Sequence, residues 1–239
     1  FANPVLGLVI APFLLWVINR TKAVFAGRTG QPLLQPYYDI WKLLRKGAVY
    51  SRTTSWIFRT GPVLGLSVTL TAALLMPFGG LPAAISFKGD LILFIYLFGL
   101  MRFFTVISAL DTGSSFEGMG ASREVTFSAL SEPALLIGLA AIAKCTGYIS
   151  LTQMFQSVVP ELWVKSGPVL VLAGVALLIV FLAENCRIPV DDPTTHLELT
   201  MIHEVMALDH GGPDFGFILY SAALKMWLLG QILVGIAVP

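Results

Sequence analysis

The sequence predicts an all-α membrane protein, a polytopic bundle of transmembrane helices. Of its 239 residues, 56% are hydrophobic and only 12% are charged, whereas about a quarter of a typical soluble domain is charged. Six apolar segments are long enough to cross a hydrocarbon core of about 30 Å as helices, and they lack the alternation of barrel strands. They cover residues 1–18, 61–78, 91–110, 125–149, 167–183 and 215–238, and we treat residues 1–239 as one transmembrane domain.

The first span is interpreted as a retained helix. It lacks the basic start of a signal peptide and continues directly into Asn19 and Arg20. The chain begins without methionine and stops directly after the sixth span, so we expect six helices to be a lower bound for the subunit. The two cysteines, Cys145 and Cys186, have no spacing typical of metal ligands.

The connections between the spans differ strongly in basic charge. The first connection, about residues 19–59, contains most of the lysines and arginines outside the spans, and alternate threading puts it on the same side as the connections at about 111–124 and 184–214. The opposite side has only Lys88 and Lys165. Because basic loops stay in the cytoplasm, we expect these three loops to be cytoplasmic.

The first cytoplasmic loop contains an amphipathic helix. Its apolar stripe, spaced i, i+3, i+4, i+7, consists of Tyr37, Ile40, Trp41 and Leu44, with basic residues off the stripe. Such a helix lies in the membrane interface. It is equally well explained as a membrane anchor and as a docking element for a partner. The nearby glycine-rich turn lacks the ending of a phosphate loop, and we expect neither nucleotide nor nucleic acid as a partner.

The loop after the fifth span gathers charged groups at one membrane boundary. Glu184 and Arg187, three residues apart, are predicted to form an ion pair that fixes the turn presenting Asp191. Further along lie Glu198 and Glu204. Carboxylates held against a low-dielectric wall can couple their protonation to another event.

The same loop is predicted to contain a helix that starts at Asp192 and Pro193, a capping carboxylate followed by a proline. Its apolar stripe would be Leu197, Met201, Val205 and Leu208. His196 and His203 are seven residues apart on such a helix, about 10 Å. We therefore favour surface or partner-contacting imidazoles over a metal site.

Four ionisable residues fall inside predicted spans: Arg102, Glu132, Lys144 and Lys225. A charge at that depth costs several kcal/mol unless it finds a partner or water. Lys144 can reach the outer surface. Arg102 either neutralises a carboxylate on a neighbouring helix or is functional.

Glu132 and Lys225 are the stronger functional candidates. Glu132 precedes Pro133, which predicts a kink, and Glu124 lies eight residues earlier, about 80° around the helix, so both carboxylates can line one wall. Lys225 is too deep to reach the surface easily, and a buried carboxylate beside it would make a proton-relay element.

These motifs resemble a known family. Ala183-Glu184-x-x-Arg187-x-Pro189-x-Asp191-x-Pro193, followed by Glu198-Leu199, is similar to the cytoplasmic loop of respiratory complex I core subunit 1, as are Gly30, Leu34-Gln35 and Asp39-x-x-Lys42-Leu43-Leu44 in the first loop. The segments 110–114 and 120–124, with Glu132-Pro133, resemble the homologous membrane subunit of formate hydrogenlyase and other energy-converting nickel–iron hydrogenases.

The resemblance implies a heel-like subunit of eight membrane helices that joins an electron-transfer arm to an ion-translocating arm. Such a subunit has no catalytic centre, cofactor or metal of its own, and it would lie in the cytoplasmic (inner) membrane of a bacterium or archaeon. Iron–sulfur clusters and a nickel–iron centre would lie in hydrogenase-like large and small subunits and an iron–sulfur subunit on the cytoplasmic side, with antiporter-like subunits in the membrane.

Roles follow for individual residues. Proton coupling is assigned to Glu124, Glu132, Glu184, Asp191, Glu198, Glu204 and Lys225. Structural ion pairs are assigned to Arg102, Asp111, Arg123 and Arg187, and docking to Arg28, Gln35, Asp39 and Lys42.

Two other functions were weighed. The loop has fewer glutamates than that of complex I, with Thr194, His196 and Met206 at three of those positions, which disfavours a quinone-site subunit of complex I. An autonomous secondary transporter predicts internal repeats, and none is detected.

Overall fold

The computed structural model describes residues 2–191 and 201–237. Those residues form nine α-helices and no strand beyond an isolated bridge between Phe78 and Leu81. The helices are α1 (Ala2–Phe25), α2 (Gln35–Leu44), α3 (Trp56–Leu75), α4 (Asp90–Asp111), α5 (Ser115–Thr146), α6 (Leu151–Gln156), α7 (Pro160–Glu184), α8 (Ile202–Met206) and α9 (Gly212–Ala237).

Six of these helices, α1, α3, α4, α5, α7 and α9, are long and apolar enough to cross a membrane. The predicted polytopic helical fold is therefore confirmed. Large apolar side chains such as Tyr96, Ile137 and Leu172 lie exposed on these helices, as expected where lipid rather than water surrounds the bundle.

The helices extend further than the apolar runs predicted. Most of the predicted 111–124 loop belongs to α5, which begins at Ser115. Tertiary packing explains the difference, because Gly120 lies so close to α8 that a Cβ atom there would be 3.1 Å from Met206. Hydropathy identifies only the part of a helix inside the bilayer. α5 is one continuous helix through Pro133.

Helix α9 is central to the bundle and packs against α1, α2, α3 and α7, while α5 packs against α4 and α7. The main core lies between these helices and contains Phe94, Leu139, Ile142, Leu228 and Ile232, all fully buried. Helix α7 ends at Glu184, whose carboxylate contacts Lys225 in the middle of α9.

The three predicted cytoplasmic connections meet at one end of the bundle. The amphipathic helix is present as α2, and its Leu43 and Leu44 pack against Gly216 near the start of α9. The main chain also approaches closely, since a Cβ atom on Gly212 would lie 2.7 Å from the Gly47 carbonyl oxygen. The first and third connections are thus held together through the beginning of α9.

Asp111 joins the second connection to the first. Its Oδ2 accepts hydrogen bonds from the Ser55 backbone N–H at 2.6 Å and from Ser55 Oγ at 2.9 Å. Ser55 in turn caps α3 by accepting from the Ile57 N–H. The ion-pair role predicted for Asp111 is therefore wrong within the described residues. The carboxylate stabilises a helix start, where backbone N–H donors are available.

The predicted helix from Asp192 lies partly outside the described residues, which omit 192–200. Where the description resumes, Met201 is extended and the helix begins only at Ile202. The stripe through Met201 is therefore wrong at that residue. The reason is local, because the Ile202 N–H donates to Asp191 Oδ2 at 3.0 Å and this bond fixes the start of a separate short helix.

Candidate functional site

A cluster of charged side chains is buried between four transmembrane helices. Arg102 of α4 is its centre. Its Nε donates to Glu124 Oε1 at 3.2 Å, its Nη1 contacts Glu132 Oε1, and its Nη2 donates to both carboxylate oxygens of Glu184 at 2.5 Å. Arg102 thus neutralises carboxylates on neighbouring helices, one of the two roles considered for it. Glu124 and Glu132 meet the same guanidinium, as their helical spacing predicts.

Glu184 is shared between two cations. Lys225 of α9 approaches Glu184 Oε2 at 3.1 Å, while Ser131 of α5 donates to Glu184 Oε1. The carboxylate predicted beside Lys225 is therefore Glu184. No salt bridge joins Glu184 to Arg187 among the described residues. The predicted pair is wrong, because Arg187 instead directs Nη2 toward the sulfur of Met226 at 4.0 Å.

Among the residues that the structure describes, the cluster contains one more carboxylate than cation. Glu124, Glu132 and Glu184 face Arg102 and Lys225, and four of these five side chains are at most 8% exposed. Buried charges persist only when partners satisfy them, and low local dielectric strengthens each contact. Because its cations are fewer than its carboxylates, this cluster has the chemistry for accepting, holding and passing a proton.

Glu132 differs from the other members because its side chain is 43% exposed. It occupies the edge of the cluster, on the face of α5 beside Gly99 of α4, where a Cβ atom would be 3.4 Å from Glu132 Oε1. The cluster therefore extends from a sealed centre at Glu184 to an open side at Glu132.

A cavity of about 750 Å³ adjoins the cluster. It runs from α1 and α2 inward, and its inner wall includes Arg102, Glu124, Glu184 and Lys225. Two further relay candidates, Asp191 and Glu204, line it as well. Asp191 is buried and its Oδ1 has no hydrogen-bond partner in the described chain, whereas Glu204 is exposed. Glu198 lies outside the described residues.

Two histidines line the same cavity and were not assigned to the site from the sequence. His210 stacks on Phe58 with ring centroids 3.9 Å apart, and its Nε2 is 3.4 Å from Ser108 Oγ. Burial lowers the pKa of His210 to about 4, so the ring is neutral at pH 7. No spacing along the chain identifies His210 as a site residue, because Phe58 and Ser108, which it contacts, lie on helices far from it in the sequence.

His203 is half-buried beside Glu124 and Cys186 rather than fully exposed, and a contact with a partner stays a prediction for this imidazole. Burial lowers the pKa of His203, and burial together with the nearby Glu124 carboxylate raises the pKa of the Cys186 thiol. The ligand atoms of these three residues lie within 4.8 Å of one another. The second histidine of the predicted pair, His196, lies outside the described residues.

The residues predicted to dock a partner lie together at the end of the bundle where the connections meet. Arg28, Asp39 and Lys42 are exposed. Gln35 Nε2 donates to Asp39 Oδ1 at 2.8 Å within α2. Arg123 is half-buried on α5. The surface therefore presents both signs of charge on one short helix.

Comparisons with known proteins agree with one another. The family described as NADH dehydrogenase matches residues 2–236. Formate hydrogenlyase subunit 4 of Escherichia coli is 34% identical over 96% of this chain and 74% of its own length. Hydrogenase-4 component C of the same organism is 30% identical over 100% of this chain and 74% of its own length. A chain of the membrane-bound sulfane sulfur reductase, an archaeal respiratory membrane complex, has the same fold, with a TM-score of 0.81 and 22% identity over 99% of this chain and 78% of that chain.

Proposed function

This chain belongs to the NADH dehydrogenase family, and we propose that it is the docking and proton-coupling subunit of a complex I-like oxidoreductase of the energy-converting hydrogenase type. Its partner arm would hold iron–sulfur clusters and a nickel–iron centre and would sit on the cytoplasmic side. Antiporter-like subunits would continue the membrane arm. The likeness to formate hydrogenlyase and hydrogenase-4 subunits favours this assignment over a complex I subunit.

The observation that carries the proposal is the shared position of Glu184. It is the last residue of α7 and contacts Arg102 and Lys225, and the cytoplasmic loop begins directly after it. A change of charge or position in that loop, caused by electron transfer nearby, therefore acts on a carboxylate bonded to two buried cations. Such a shift alters which group of the cluster holds a proton.

The proton would then leave the cluster through Glu132. This carboxylate contacts Arg102 and has the most exposed side chain of the five, so it is the member that a neighbouring membrane subunit can reach. Asp191, Glu198 and Glu204 would form the cytoplasmic part of the pathway, beside the cavity of about 750 Å³ that Asp191 and Glu204 line.

Replacing Glu132 with glutamine is expected to leave the complex assembled but to uncouple redox turnover from ion transport, or to slow it. The amide keeps the shape of the side chain and a hydrogen-bond acceptor for Arg102 while removing the exchangeable proton. Redox turnover and proton uptake should be measured together in sealed vesicles containing the purified complex.

The matched control for this experiment is Glu161→Gln, an exposed glutamate in the first turn of α7. It should retain the wild-type ratio of protons moved to electrons transferred. A Glu132→Gln complex that kept the full ratio and full turnover would contradict the relay.

The docking role rests on the exposed charges of α2 and the adjoining connections. We expect a tagged chain, extracted in mild detergent, to bring iron–sulfur proteins with it, and Lys42→Glu to lower their recovery several-fold. Exposed ion pairs are screened over about 8 Å at 0.15 M ionic strength, so added salt should mimic the variant.

Lys88→Glu is the control for docking, because this exposed lysine lies in the connection between α3 and α4, at the opposite end of the bundle. Recovery of the chain alone at low salt would indicate a transporter instead. Labelling of Lys42 from the periplasmic face of intact cells would contradict the proposed orientation.

The size of the cavity favours one alternative. A volume of about 750 Å³ is within the usual range of about 300–1,000 Å³ for small-molecule sites, so a quinone-site subunit of respiratory complex I is the second candidate. A quinone analogue that slows turnover of the purified complex at stoichiometric concentration would favour it.

A further inference from the structure

Three potential metal ligands from separate parts of the chain converge beside the charged cluster. Glu124 lies on α5, Cys186 follows the end of α7, and His203 lies in α8. Cys186 Sγ is 3.9 Å from Glu124 Oε2, and one ligand atom from each of the three residues lies within 4.8 Å of the others. From this geometry we infer that Glu124, Cys186 and His203 form a binding site for a divalent transition metal of the zinc type.

The donor set selects the class of metal. A thiolate, an imidazole and a carboxylate are the three ligand types that zinc uses, whereas magnesium and calcium prefer oxygen alone. Zinc bonds of about 2.0–2.3 Å place two ligands of a tetrahedral ion about 3.3–3.7 Å apart. The Cys186–Glu124 separation of 3.9 Å is close to that of a closed site, and the upper limit of 4.8 Å for the three atoms exceeds it by roughly 1 Å, which side-chain rotation can supply.

The surroundings already orient one of the ligands. Glu124 Oε1 is held by Arg102 Nε at 3.2 Å, which leaves Oε2 directed toward Cys186. The His203 ring lies near the backbone of Glu184. Metal-ligating carboxylates are typically held by a second partner, as Glu124 is by Arg102.

The position also suits a cation and leaves room for a fourth ligand. All three residues line the cavity of about 750 Å³, from which a water molecule can complete a tetrahedral site. The adjacent cluster has three carboxylates against two cations, so an added positive charge reduces an existing imbalance. Asp191, a buried carboxylate with an unpartnered Oδ1 in the described chain, lines the same cavity.

Metal binding at Oε2 would keep Glu124 ionised within the charged cluster. Zinc would therefore act as an inhibitor of coupling, because the bound carboxylate could no longer exchange a proton with its neighbours. That consequence rests on the proposed function, whereas the binding itself does not.

Titration of Zn²⁺ into the purified complex, freed of loosely bound zinc, tests the site by calorimetry, with Cys186→Ser and His203→Gln compared against wild type. Loss of an orienting partner alone typically weakens metal affinity about 10–100-fold. We expect each ligand substitution to raise the Kd of one bound Zn²⁺ at least about tenfold. Cys145→Ser is the matched control, since this half-buried thiol lies near the far end of α5.

Zinc-edge X-ray absorption gives a second readout that does not depend on activity or on the iron and nickel of partner subunits. The wild-type complex should show one sulfur and at least one imidazole bound to zinc, and Cys186→Ser should lose the sulfur. Equal Zn²⁺ binding by wild type and both ligand variants, or a zinc shell without sulfur, would overturn the inference.

Discussion

Replacing Arg102 with alanine is expected to prevent stable assembly of this subunit. The guanidinium contacts Glu124, Glu132 and Glu184 at once, and its removal leaves carboxylates buried among transmembrane helices with Lys225 as the one remaining cation of the cluster. Breaking a buried charge pair by removing one partner costs about 3–5 kcal/mol. Here one side chain serves three partners, so the loss should reach the upper end of that range.

The measurement is the amount of subunit in the membrane and the temperature at which the detergent-extracted complex aggregates. Arg52→Ala is the control, because this arginine is exposed in the first connection. Arg102→Lys should be intermediate, since an ammonium cannot reproduce the fork of donors that a guanidinium presents to several carboxylates. Wild-type abundance and thermal stability in Arg102→Ala would show that the cluster does not hold the helices together.

Replacing Lys225 with methionine is expected to abolish coupled ion transport while leaving the complex assembled. Assembly should persist because Glu184 keeps its bonds from Arg102 and Ser131, and methionine fills a volume similar to that of the lysine stem. The ammonium is the cation of the cluster that can lose its proton, because arginine stays protonated in proteins.

Lys225→Arg separates the two roles that a buried lysine can have. It retains the positive charge beside Glu184 but cannot exchange a proton at neutral pH. If exchange is required, both variants lose proton uptake while redox turnover continues or slows. Full coupling in Lys225→Arg would show that Lys225 acts only as a fixed positive charge beside Glu184. Full coupling in Lys225→Met would exclude any relay role.

The architecture and part of the site were accessible from the sequence. Hydropathy identifies six helices because a segment that crosses lipid must be apolar and must satisfy its own backbone hydrogen bonds, as a helix does. Helical periodicity places Glu124 and Glu132 on one wall, and both do contact Arg102. These inferences depend only on local geometry that a single helix determines.

Which side chains pair between different helices could not be predicted in this way. The spacing of Glu184 and Arg187 predicts a local pair, but α7 ends at Glu184 and Cys186 adopts a left-handed backbone with φ 45°. The chain therefore turns before Arg187. Arg102, which binds Glu184 instead, is 82 residues away in the sequence. Similarly, the positions of Cys186 and His203 along the chain match no metal-binding motif. Glu124, the third residue that lies beside them, comes from another helix.

The contact between Gly212 and Gly47 limits how the surface formed by the first and third connections can change in sequence. Gly212 has φ 56°, and the nearest atoms to the place of its missing Cβ are backbone atoms of Gly47 and Lys46. The spacing between the first and third connections is thus set by main chain against main chain. Exposed lysines, arginines and aspartates around it can therefore be exchanged while the distance between the two connections stays constant.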